Sequence, residues 1–352
     1  MKIVLSVLVG GVLLCAAIST AQAAPPCLIV TLTGSGGGPP TFSGLAGPGT
    51  LVRYGDDGNN CNAVKMQFDA GRGTNMRLSQ LSVSPDQLNA IFFTHMHTDH
   101  TEGFADILQL RWHFHSTGPK IDAVCSSDVA SPLGFTISCR KFVLHIADAF
   151  FQSGEIAQRL SEVKERVAGG PADLTNVITF EPRNEPQVVW SSGDVKVSAI
   201  RSTHIAGHAS YRVDTPAGSV VIGGDAGNDA FTPPRSSSTS AQVETLAKGV
   251  DVIVHSTIHP VMGPDRDSGM PPPLFYRQPS ASDLGAMAKR VGAKYLVLTH
   301  LIPMIGAERH GIWKIPGGAL TEGEYRKVVQ DTGFTGSTVV GTDLANIRLP
   351  AK

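Results

Sequence analysis

Four side chains able to bind a metal ion fall between positions 95 and 100: His95, His97, Asp99 and His100, in the run Ile91-Phe92-Phe93-Thr94-His95-Met96-His97-Thr98-Asp99-His100. The run opens as an apolar strand and ends in imidazole and carboxylate donors. A lone histidine is commonly a core or surface residue, but this density directly after a strand reads as a metal loop. The spacing differs from a helical His-Glu-x-x-His site, whose histidines sit at i and i+4. It suits a loop that turns alternate side chains toward two neighbouring ions. Two cations about 3.5–4 Å apart lower the pKa of a water between them and polarise a substrate oxygen, so hydroxide attacks without a protein nucleophile. Histidine and carboxylate donors without cysteine fit zinc best, and manganese or iron suits the same set.

Further donors are strung along the chain in Phe68-Asp69-Ala70-Gly71, Ser202-Thr203-His204, Gly223-Gly224-Asp225 and Leu298-Thr299-His300. With His95-x-His97-x-Asp99-His100 and the opening Leu32-Thr33-Gly34-Ser35-Gly36, they resemble in order the landmarks of the metallo-β-lactamase superfamily. Within it the chain looks most like the branch that includes the ribonuclease Z enzymes and the secreted zinc-dependent arylsulfatases. The resemblance implies an α/β fold, a four-layered αβ/βα sandwich with two zinc ions at one edge. It places His95, His97 and His204 on one ion, Asp99, His100 and His300 on the other, and Asp225 between them. Asp99 would also orient the hydroxide, and Asp69 would orient the loop from behind. His208 competes for the place of His204; His204 is preferred because in this branch the ligand precedes a Tyr-Arg pair, here Tyr211-Arg212.

Two departures matter. Ribonuclease Z sequences carry His-Glu-Ala-Thr near the site, where this chain has His255-Ser256-Thr257-Ile258. His255 then has two readings, a proton donor to the leaving group or a strand-end histidine bonded to a neighbouring carbonyl. True β-lactamases of the related subclasses generally lack the bridging aspartate. The resemblance therefore points to a metal-dependent hydrolase of a small sulfuric or phosphoric ester, arylsulfatase-like. A lactone or carboxylic ester hydrolase, lactonase or β-lactamase-like, is the alternative, and a non-catalytic metal-binding module would normally have lost ligands.

The elements that must carry these residues follow from periodicity. Strands are expected at Leu28–Thr33, Leu51–Tyr54, Val64–Asp69, Ala90–Thr94, Val195–Ile200, Ala209–Val213, Ser219–Ile222, Val252–His255 and Tyr295–Thr299. One helix face is formed by Ile156, Leu160, Val163 and Val167; a second helix runs from Ser280 to Gly292, and a third opens at Thr321. Trp112, His113 and His115 fall on a further helix, as core packing or a pocket wall. Met304, His310 and Trp313 lie on a connecting loop or a wall. The patches Gly34–Pro40, Pro233–Ser240 and Gly269–Pro273 read as surface loops, with Gly34–Gly38 a tight turn beneath the site.

With 352 residues, 41% of them hydrophobic, the chain can bury a full core. A balance of 29 basic against 30 acidic residues gives no electrostatic footprint for nucleic acid, so a small-molecule ester and no nucleic-acid partner is expected. Lys2, the apolar run from Ile3 to Ile18, and Ala21-Gln22-Ala23 read as a signal peptide over residues 1–23. A single hydrolase domain would then occupy 24–352, exported to the periplasm or beyond without a stable membrane anchor. Of the five cysteines, Cys15 would leave with the signal. The other four allow three pairings; Cys27 with Cys61 and Cys125 with Cys139 are favoured.

Overall fold

The computed structural model describes residues 24–166 and 168–351; the expected signal segment and Val167 lie outside the described residues. Two seven-stranded sheets face each other. The first takes β1 (Pro26–Gly34), β2 (Gly49–Asp56), β3 (Val64–Phe68), β4 (Ala90–Phe92), β5 (Ile121–Ser126), β8 (Thr175–Phe180) and β18 (Asn346–Leu349), in the order β18-β1-β2-β3-β4-β5-β8. A hairpin of β6 (Val129–Ala130) and β7 (Thr136–Ile137) lies between β5 and β8 in sequence. The second takes β9 (Gln187–Ser192), β10 (Val195–Arg201), β11 (Ala209–Thr215), β12 (Gly218–Ile222), β13 (Val252–Ile258), β14 (Tyr295–Ile302) and β17 (Ser337–Val340), in the order β17-β14-β13-β12-β11-β10-β9. A second hairpin joins β15 (Arg309–His310) to β16 (Trp313–Lys314).

The helices are α1 (Thr74–Gln80), α2 (Thr98–Thr101), α3 (Phe104–His115), α4 (Cys139–Gln152), α5 (Glu155–Glu162), α6 (Ala241–Leu246), α7 (Pro272–Tyr276), α8 (Ala281–Val291) and α9 (Glu322–Gln330). Leu78, Ile107 and Val143 pack α1, α3 and α4 on the first sheet, and Val243, Leu284 and Tyr325 pack α6, α8 and α9 on the second. Between the sheets lie Met66, Phe68 and Phe92 from one side and Trp190, Val197 and Tyr211 from the other. Phe68 stacks on Phe92 at 4.6 Å, and the buried Tyr211 hydroxyl donates to the Phe93 carbonyl at 2.7 Å. Helix, sheet, sheet, helix is the four-layered sandwich the sequence implied.

Strand direction sets the site. In the first sheet β3, β4, β5 and β8 run parallel, and in the second β12, β13, β14 and β17 do so. Parallel neighbours end at one edge, and the loops leaving those ends form crevices. The central strand β13, Val-Ile-Val-His-Ser-Thr-Ile, is buried along its whole length, as expected where both faces are covered.

Every expected strand is present, with ends shifted by a few residues, and both favoured disulfides are formed, Cys27–Cys61 and Cys125–Cys139. Two expectations need correction. The helix at Ile156 stops at Glu162, leaving Val163 as its extended cap. Gly34 to Gly38 is buried and not a surface loop. A Cβ on Gly37 would come within 2.4 Å of the Leu301 carbonyl oxygen, so this turn packs against the end of β14 in a way only glycine allows. Trp112 follows the core-packing reading, buried with Ile156 and Leu174. Among the described residues no helix is long and apolar enough to cross a membrane.

Candidate metal centre

The loop after β4 leaves the sheet at Thr94 and enters α2 with His97 as its N-cap. Asp69, one residue past β3, holds that loop. Its Oδ1 accepts from the Thr94 backbone N–H at 2.7 Å, and its Oδ2 accepts from the Thr94 hydroxyl and from His100 Nδ1, both at 2.8 Å. Thr94 Oγ1 lies 3.0 Å from His95 Nδ1. With its proton given to Asp69, that hydroxyl can only accept from His95. Both imidazoles are therefore fixed with the proton on Nδ1 and the Nε2 lone pair turned inward. Asp69 does this with φ of 52° and His300 sits at φ of 46°, two left-handed non-glycine residues at the same site. Such strain persists where the surroundings over-determine it.

The inward atoms crowd together. His95 Nε2 is 2.8 Å from His97 Nδ1, which is 3.3 Å from His204 Nε2. His300 Nε2 is 3.2 Å from both Asp99 Oδ2 and Asp225 Oδ2. Asp225 faces both sides, Oδ1 at 3.5 Å from His100 Nε2 and Oδ2 at 3.6 Å from His204 Nε2. Three groups of donors lie within 4.8 Å of one another: His95, His97, His204; His95, His100, Asp225; and Asp99, His100, His300. His100 Nε2 and Asp225 Oδ1 are buried without a hydrogen-bond partner. Lone pairs converging with nothing between them repel, and buried polar atoms need partners; cations between these donors would satisfy both conditions, so the residues fit a pair of divalent metals.

Electrostatics divides the ligands: His95 and His204 are held neutral, whereas for His100 and His300 the lowering by burial is outweighed by the carboxylates they face, Asp225 and Asp69 for His100 and Asp225 and Asp99 for His300, which raise both. Burial pushes His95 well below its ordinary value and His204 down to about 3, so both are neutral. For Asp99 burial alone would raise the pKa, but the hydrogen bond to His300 and the charge of His100 outweigh it and hold it at about 2. Asp225 is likewise held well below the carboxylate range, with burial opposed by His300 and His100.

His208 is fully buried but points elsewhere, its Nδ1 2.8 Å from Ser202 Oγ and its Nε2 accepting the Asp225 backbone N–H at 3.2 Å. Both ring nitrogens are occupied, and it is not a surface histidine. Gly224, at φ of 59°, is what allows this: a Cβ there would lie 2.9 Å from His208 Nε2. For His255 the geometry matches the carbonyl-bonded reading. The strand continues past it to Ile258, Nδ1 sits 2.9 Å from the Ser256 carbonyl oxygen, and burial lowers its pKa to about 4. It faces a cavity of only about 20 Å³ behind the donors.

Two open clefts meet at the cluster. One, of about 860 Å³, runs under the β6–β7 hairpin past Leu133 and Phe231. The other, of about 620 Å³, runs over Ile258, Met270, Leu274 and the stacked pair His310 and Trp313, which take the wall reading of that stretch, while Met304 is buried in the core. They share Met96, His97, His204 and Arg277. Arg277, Leu133 and Phe231 carry no sequence signal that sets them apart from ordinary loop residues.

Residues 66–301 match the family described as "Beta-lactamase superfamily domain". The chain is 26% identical over 287 residues to a ribonuclease Z of Mycobacterium sp. (strain KMS), spanning 81% of this chain and 88% of that enzyme. Its fold is similar to human tRNase Z, short form, at a TM-score of 0.56 with 16% identity, covering 92% of this chain and 100% of that one. A diphosphatase from the PhnP family is similar at 0.55 with 15% identity, covering 92% and 97%. These relatives overturn the expectation of no nucleic-acid partner. A net charge near zero averages over the whole surface and says nothing of a local groove, and here Arg201 and Arg277 both line the larger cleft. From the family match, the donor cluster and the fold together, the chain belongs to the metallo-β-lactamase superfamily, in its ribonuclease Z-like branch, and is a metallo-hydrolase.

Proposed function

We propose that this chain hydrolyses a phosphoric diester at a two-metal centre. The observation that carries the reading is the meeting of two clefts at the donor cluster, because a diester carries a group on each side of phosphorus and each group has its own cleft. The names ribonuclease Z, tRNase Z and diphosphatase denote cleavage at phosphorus and support the same class. His95, His97 and His204 would hold one ion, Asp99, His100 and His300 the other, and Asp225 both. Bound zinc, or manganese or iron in its place, supplies Lewis-acid polarisation and lowers the pKa of water.

The protein's own residues do the rest. Asp99, ionised at neutral pH and open to the second cleft, accepts a hydrogen bond from the attacking water and aims it. Asp69 and Thr94 keep His95 and His100 in the metal-binding tautomer. Ile258, Met270, Leu274 and Trp313 hold an apolar substituent on one side and exclude bulk water there. His255 is given no proton to deliver, since it opens on neither cleft.

Export belongs to the same proposal: two disulfides support an oxidising compartment. The test is a side-by-side assay of metal-loaded enzyme on a nitrophenyl phosphodiester, phosphomonoester, sulfate and acetate, a short RNA, a lactone and a β-lactam, with amino-terminal sequencing of the exported protein. The diester should turn over fastest, and the mature chain should start near Ala24. Turnover of the sulfate alone would move the site to sulfuric esters. Turnover of the lactone or β-lactam, with the anionic esters inert, would overturn the proposal.

A further inference from the structure

The four residues shared by the two clefts include one cation, Arg277. It follows α7 as that helix's C-cap, and its backbone is pinned against the segment bearing Asp225: a Cβ on Gly227 would lie 2.4 Å from the Arg277 carbonyl oxygen. Gly227 is itself bridged to Thr203 and Thr239. Arg277 is therefore mounted on a fixed frame, one residue before the buried Gln278-Pro279-Ser280 step into α8.

Its side chain is unspent. The other arginines near the clefts have partners: Arg201 donates to Asn184 Oδ1 at 2.9 Å, and Arg235 donates to the Ala230 and Tyr276 carbonyls and lies over the Tyr276 ring. Arg277 Nε is buried with no hydrogen-bond partner, and nothing among the described residues accepts from its guanidinium. Its charge is felt at His97 and His204, where it disfavours protonation. A cation held without an anion beside donors suited to metal cations is an unfavourable arrangement on its own. An anionic group lying between guanidinium and metals would reverse that sign, and a planar fork of N–H donors matches two oxygens on one phosphorus.

We propose that Arg277 is a specificity-determining residue that binds the non-bridging oxygens of the substrate's phosphoryl group where the two clefts cross. The proposal rests on the phosphoric-diester reading for the identity of the anion, but it makes its own claim about anion binding. A neutral carboxylic ester has no such oxygens in its ground state, so Arg277 would contribute little to binding it.

The experiment compares the metal-loaded full chain with Arg277→Ala and Arg277→Lys in two readouts. The first is binding of inorganic phosphate by calorimetry, with metal content and thermal midpoint measured on the same samples. Phosphate should bind at least about tenfold more weakly to R277A, with metal content and midpoint unchanged, and R277K should recover only part because an ammonium lacks the fork. The second is kinetics: KM for the diester should rise much more than kcat falls, while KM for nitrophenyl acetate stays as it was. Equal phosphate binding by wild type and R277A, or no binding by wild type, would overturn the proposal. A wild type that binds phosphate through Arg277 but cleaves only neutral esters would sink the diester function and leave the anion site standing.

Discussion

His204 and His208 differ in where their ring nitrogens point, and that geometry favours His204 as the ligand. The sequence offered both, and only His204 aims a free nitrogen at the cluster, 3.6 Å from Asp225. His204→Ala should therefore lose metal and hydrolysis together. His208→Ala should keep its metal while costing about 1–3 kcal/mol of stability, because Ser202 Oγ and the Asp225 N–H lose a buried partner. Metal content and a denaturation midpoint on both variants decide the matter, and the reverse pattern would exchange their roles. The dense loop from His95 to His100 was legible because donor type and spacing alone point to metal. Arg277 was not, because what distinguishes it is the absence of a partner, a property no local pattern carries. His255 keeps two readings in the sequence for a related reason: its expected strand ends there, whereas the strand continues through Ser256 and Thr257 to Ile258, all buried.

At the scale of elements, those with chemical punctuation were readable and those defined only by their neighbours were not. Helix α8 begins where Ser280 Oγ accepts from the Asp283 N–H at 3.1 Å and ends at Gly292 with φ of 73°. The capping box at Thr321 and Glu324 marks α9 in the same way. The strands β5, β8, β9, β17 and β18 mix polar with apolar residues and carry no clear pattern; β8, β9, β17 and β18 end their sheets, where burial imposes least alternation. The helix α4 was hidden behind a cysteine read only for its bridge. That bridge ties β5 to the first residue of α4 across a separation of 14 residues. Replacing both Cys125 and Cys139 by alanine should lower unfolding stability by about 3 kcal/mol, chiefly by freeing the unfolded chain. Denaturant curves on the pair variant and on wild type test it, and an unchanged midpoint would mean that the bridge contributes nothing to stability.

For the whole molecule, the two sheets share a plan. Each is part antiparallel meander and part parallel crossover, and in each the parallel part delivers its strand ends to the same edge. Asp69 and His95 arrive from one sheet, His204, Asp225 and His300 from the other, so no donor group is complete until the sandwich closes. Metal affinity and folding are then one free energy. The outline of this plan could be foreseen from the order of the motifs, but the two clefts could not, because their walls come from hairpins and loops far apart in the chain. The measurement that bears most directly on the central claim is metal content read beside hydrolysis, in purified mature protein before and after chelation. Close to two transition-metal ions per chain are expected, with hydrolysis lost on chelation and restored on re-addition, and with both lost in His97→Ala and Asp225→Ala. Full hydrolysis by a chain carrying no bound metal would contradict the account.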